Sequence, residues 1–138
     1  MHFRFLLPIL FTGFLPVMRA QSPEPREFTM VSNGDTTVMK RYVMCIYLRG
    51  EKVADFGKDA LAKFQTAHLN HIDSLAAKGH VLVAGPFDDD SNKRGILILD
   101  AGDIEAAKPW VEADPMVKAG RLSFELHPWW TAKQGSFR

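Results

Sequence analysis

The hydrophobic patterning of this chain predicts an α+β fold, a ferredoxin-like split βαβ in the order β-α-β-β-α-β. Three observations carry that expectation. Lys40 to Leu48 is a nearly unbroken apolar and aromatic run. An apolar stripe at helical spacing ends at Gly79 and leads directly into a second apolar run. A last stretch, Leu122 to Pro128, alternates apolar and polar residues as a strand with one wet face would. The 138 residues allow one domain and little more, and a hydrophobic content of 46% with ten Phe and three Trp can fill its core.

Each element has its own warrant. The run KRYVMCIYL, closed by Arg49-Gly50, is rich in β-branched and aromatic residues and reads as the first strand, buried on both faces. The first helix extends from about Asp55 or Lys58 to Lys78, with Gly79 as its stop. Leu61, Phe64, Leu69, Ile72, Leu75 and Ala76 form its apolar stripe, with His68 near the middle and His71 at the edge. His80 to Ala84 forms the second strand, and Gly85-Pro86 with the polar run 88–93 turns it into the third, Gly95 to Leu99. Asp103 is a good N-cap for the second helix, Ile104 to Ala113. Pro109 inside that helix should cost about 3 kcal/mol or kink it. Asp114-Pro115 ends it, because a residue before proline avoids the α region. A short turn to Gly120 leads into the fourth strand.

Both helices of such a fold cover one face of the sheet. Strands one to three are apolar on both faces, so a second copy packing sheet to sheet is expected, and the chain is read as a homodimer. Ahead of the domain, 21–38 is polar, carries Pro23, Pro25 and Asn33-Gly34, and reads as a flexible N-terminal arm. The domain proper is expected over 39–131, with 132–138 as a tail.

Residues 1–20 have the outline of a secretory signal peptide: Arg4, an apolar run from Phe5 to Met18, then Ala20 as the cleavage point. The run of about 14 apolar residues is short of the ~20 needed to span a bilayer. A periplasmic or secreted protein without stable membrane insertion is expected. Cleavage would remove Arg4 and Arg19 and no acid, taking the net charge from +1 to −1. Neither value gives the basic footprint of a nucleic-acid binder. The lone Cys45 excludes an internal disulfide.

The chemistry points to His68. An imidazole on the inward stripe of a helix needs a partner or a task. Asp114 at the end of the second helix has the complementary problem, since the helix dipole disfavours a carboxylate there. The split βαβ sets the two helices side by side, where the pair can meet. Here the residues resemble a known family. Ala67-His68-Leu69, Gly79 followed by VLVAGPF, Gly95, Glu105-Ala106, Ala113-Asp114-Pro115, Ala119-Gly120 and His127-Pro128-Trp129 are similar, in order and spacing, to the YCII-related family. The resemblance implies a dimeric α+β barrel with an active site whose His and Asp fall on His68 and Asp114. One group that resembles the family carries out dehydrochlorination of a chlorinated hydroxyquinol with such a dyad. Two positions depart from the pattern: Gln65 stands where some members carry Arg, and Met116 where an aromatic often follows Asp-Pro. The first departure leaves the ligand class open.

The expected site is thus His68 and Asp114 as the catalytic pair, with Gly85, Pro86 and His71 contacting a small-molecule ligand. Proton abstraction from an acidic carbon or phenol suits it better than acyl transfer, because no Ser or Cys belongs to the motif. A non-enzymatic ligand-binding or stress-associated module is the main alternative, and a cofactor-free monooxygenase a weaker one. No cofactor and no metal are expected: His68 and His71 lack a third ligand, and Asp88-Asp89-Asp90 lacks the alternation and glycine of a calcium loop. Trp129 and Trp130 are read as packing residues.

Overall fold

The computed structural model describes residues 25–52, 56–133 and 135. The expected signal peptide therefore lies outside the described residues. The elements are β1 (Glu27–Ser32), β2 (Asp35–Arg49), α1 (Lys58–Ala77), β3 (Val81–Pro86), β4 (Lys93–Leu99), α2 (Ile104–Glu112), α3 (Pro115–Lys118) and β5 (Leu122–Ala132). They form one antiparallel sheet with helices, an α+β fold.

β2 is the spine of the sheet. β5 pairs it from Met39 to Arg49, and β4 pairs its other edge from Val43 to Leu48. β3 lies beyond β4, giving the order β5-β2-β4-β3. β1 pairs the early part of β2 on the same side as β4, because Lys40 faces both Glu27 and Thr131 while Val43 faces both Leu99 and Pro128.

β1 and the start of β2 correct the reading of a flexible arm over 27–38, while 21–24 lie outside the described residues. Asn33 and Gly34 have φ of 52° and 86°, the doubly positive pattern of a two-residue hairpin turn, with Ser32 opposite Asp35. Arg26 and Lys40 both bind the Asp100 carboxylate just past β4, which ties the hairpin to the domain. The first and last long strands likewise run further than expected, since each has a partner along its extra length.

The core lies on one face. Val43, Cys45 and Tyr47 of β2 and Leu97 and Leu99 of β4 cluster with Leu75 of α1 and Ala107 and Val111 of α2. Every second residue of β2 points there, as the pleat requires. Gly79, φ 75°, stops α1 as expected, one residue past its cap at Lys78. The α1 stripe differs in part: Leu75 is buried and Phe64 and Ile72 half-buried, but Leu69 is half exposed and Ala76 is exposed. Asp103 caps α2 by accepting the Ala106 N–H at 2.8 Å. Pro109 is accommodated because Glu105, whose carbonyl loses its partner, is exposed along with the proline, so water can serve it.

Candidate functional site

Asp114 is fully buried where α2 gives way to α3. The sequence places it at the unfavourable end of the second helix; the structure makes it the N-cap of α3 instead. Its Oδ1 accepts the Met116 N–H at 2.9 Å. Oδ2 accepts two further bonds, from His68 Nδ1 at 2.6 Å and from the Tyr47 hydroxyl at 2.8 Å. Burial works against the charge of this carboxylate. The bonds from His68, Tyr47 and the Met116 N–H outweigh it and hold the carboxyl below its usual range.

His68 reaches Asp114 from the middle of α1, and its side chain keeps 12% of its exposure. A carboxylate can only accept, so Nδ1 carries the proton and Nε2 is the ring nitrogen left for a ligand. Tyr47 sits under both groups on the inner face of β2, its ring edge-on to the imidazole with centroids 5.5 Å apart. Burial and the neighbouring Asp114 push its phenol well above the ordinary value, so it remains a donor. Sequence reasoning missed Tyr47. The available signal was the alternation Val43, Cys45, Tyr47, which puts a hydroxyl at the polar end of an otherwise apolar inner face.

A cavity of about 440 Å³ opens beside this cluster, in the size range of small-molecule sites. His68 and Tyr47 line it, with apolar walls from Leu69, Ile72 and Leu122. Gly85 and Pro86 line it too, at the end of β3 where the sequence reading set them. A Cβ on Gly85 would meet open space, whereas one on Gly95 opposite would sit 2.7 Å from the Gly85 carbonyl oxygen.

The structure does not bring His71 to this cavity. Its Nε2–H donates to the Trp110 carbonyl at 2.8 Å, so the ring is spent on joining α1 to α2. The expected ligand contact from His71 is corrected on that ground. Cys45 is wholly buried, and burial with the nearby Asp114 pushes its thiol up to about 12, which removes it as a nucleophile. Trp130 packs against Phe28 of β1 at 4.9 Å. Asp88, Asp89 and Asp90 are exposed, and Asp89 accepts the Ser91 N–H within the turn. Among the described residues no group of three His, Cys, Asp or Glu side chains is placed to hold a metal.

The family model of the YCII-related domain matches residues 40–129. The chain belongs to the YCII-related family. In this YCII-related chain the match runs from the middle of β2 nearly to the end of β5, so it spans the cavity and both members of the His68–Asp114 pair. Among solved structures, the chain is similar to 5-chloro-2-hydroxyhydroquinone dehydrochlorinase from Burkholderia phenoliruptrix in complex with 2,5-dihydroxybenzoquinone. Identity is 24% and the TM-score 0.46, over 63% of this chain and 92% of that one. No curated protein matches the chain.

Proposed function

We propose that this YCII-related protein is a small-molecule catalyst in which His68 moves a proton and Asp114 orients it. The observation that carries the reading is the 2.6 Å bond from His68 Nδ1 to a fully buried carboxylate at the wall of a cavity. With Nδ1–H held by Asp114, Nε2 takes a proton from an acidic C–H or phenolic O–H of the ligand. The carboxylate stabilises the imidazolium so formed. The electron pair left on the ligand expels a leaving group or re-forms a double bond elsewhere, and Nε2–H returns its proton to the product or to water. Elimination or isomerisation of a phenolic or quinone-like molecule is the reaction class.

The order β5-β2-β4-β3 supports a split βαβ core, to which β1 and α3 are additions. Half-buried Met44, Ile46, Leu48 and Ile96 alternate with the core residues and so face away from the helices. A second copy packing there as a homodimer would cover them, and the N-terminal sequence favours export to the periplasm or exterior. No described helix is long and apolar enough to cross a membrane.

The test is halide release from a chlorinated hydroxyquinol by the full chain, with the His68 imidazole followed by NMR as ligand is added. His68→Ala is expected to lower kcat/KM by about 10²–10⁴-fold. Full turnover by that variant would refute the role of His68. Binding that shifts the imidazole resonance without any turnover would favour the ligand-binding module instead.

A further inference from the structure

The His68 cavity is larger than a single ring requires. A space of about 150 Å³ already encloses benzene, whereas this cavity measures about 440 Å³. The extra room has a direction. α1 lines it with Gln65, His68, Leu69, Ile72 and Asp73, whose spacing keeps them on one helical face. From Gln65 to Asp73 that face runs eight residues, about 12 Å at the helical rise. His68 stands nearer the Gln65 end, so most of the length lies beyond it. That stretch is apolar and not sealed into the core: Leu69 is half exposed and Ile72 half-buried.

Across from α1, small residues set the width. Tyr47 pairs with Gly95, and Leu97 pairs with both Cys45 and Ala84, so all of them share the helix-side face of the sheet. Gly95 has no freedom to grow, because its Cβ would meet the Gly85 carbonyl oxygen. Ala84 is different. It is exposed and lines the cavity, so a longer side chain there extends into the same space. Alanine is also a poor strand residue, and it follows Val81, Leu82 and Val83 in β3. Its smallness keeps the cavity wide opposite Leu69 and Ile72.

We infer that the cavity takes a planar molecule of two fused rings, with Ala84 as the residue that sets the size limit. The first ring presents its phenol or quinone oxygen to His68, and the second lies along Leu69 and Ile72. The inference rests on reading the His68 cavity as a ligand site and names the size class of its substrate. A one-ring molecule would leave the Leu69–Ile72 wall in water. Covering that wall is what the second ring adds to binding.

The probes are catechol and 2,3-dihydroxynaphthalene, which share a polar edge and differ by one fused ring. Each is titrated under argon into the full chain by calorimetry, with the His68 imidazole NMR shift reporting entry into the cavity. The naphthalene is expected to bind at least about tenfold more tightly than catechol. Ala84→Leu should remove most of that preference, weakening the naphthalene and sparing catechol. Ala84→Val, whose branched side chain suits a strand, repeats the test should leucine disturb β3. Equal wild-type affinity for the two probes, a preference that survives the filling of Ala84, or no His68 shift with either probe would each overturn the inference. Because neither probe has a group to expel, the two readings separate. Two-ring preference with hydroxyquinol turnover that ignores His68→Ala sinks the proton-transfer reading alone. His68-dependent turnover without two-ring preference sinks the size reading alone.

Discussion

Asp114 concentrates the energetics of the site in one residue. An ionised carboxyl taken wholly out of water costs several kcal/mol unless donors replace the lost hydration. Here three do: a backbone N–H, a phenol and an imidazole. Tyr47→Phe removes one bond to a charged acceptor and should destabilise the protein by about 1.5–3 kcal/mol in urea unfolding at neutral pH. The pH dependence has a definite sign. Asp114 has a folded-state pKa below its ordinary value of 3.8, so its contribution is complete above that value and is lost as pH falls through the folded value. Tyr47→Phe brings the folded value back toward the ordinary one. The stability difference between neutral pH and about pH 3 should therefore narrow in the variant. An unchanged difference would show that the phenol does not support the charge. His68 was legible in the sequence because a polar ring interrupts an apolar helical stripe. The electrostatic reason offered for Asp114 was not the operative one, since α3, only four residues long, turns the position into an N-cap.

At the level of elements, the departures concern strands whose stability comes from partners and not from their own composition. All six residues of β1 are exposed, so the alternation of Phe28 and Met30 with Glu27 and Thr29 buries no face in the core. What specifies it is the Asn33-Gly34 turn and the grip of Arg26 and Lys40 on Asp100. Gly34→Val puts a β-branched residue at φ 86° and should cost about 1–3 kcal/mol locally. Hydrogen exchange is the measurement. The amides of β1 should lose protection while those of β4 keep theirs, and uniform loss would show that the hairpin belongs to the same cooperative unit as the core. The helices were easier to place. Gly79 and Asp103 act through bonds within a few residues, which the local sequence contains in full.

For the whole molecule the open face of the sheet decides what is to be expected in solution. Ile46 and Ile96 pair across β2 and β4 on the side away from the helices. If a second copy covers that side, Ile46→Lys should shift the protein from dimer to monomer in sedimentation velocity while far-UV circular dichroism is retained. A wild-type protein that sediments as a monomer throughout the micromolar range would remove the proposed dimer.

Element types, the helix stop and cap, and the inward histidine were determined by the sequence alone, because each depends on periodicity or on bonds to near neighbours. Tertiary structure decided the rest: that Tyr47 completes the grip on Asp114, that His71 turns to Trp110 instead of the cavity, and that Ala84 lines the same cavity as His68. Those outcomes depend on strand register, which is set by pairings between residues some forty or more positions apart that no local pattern encodes.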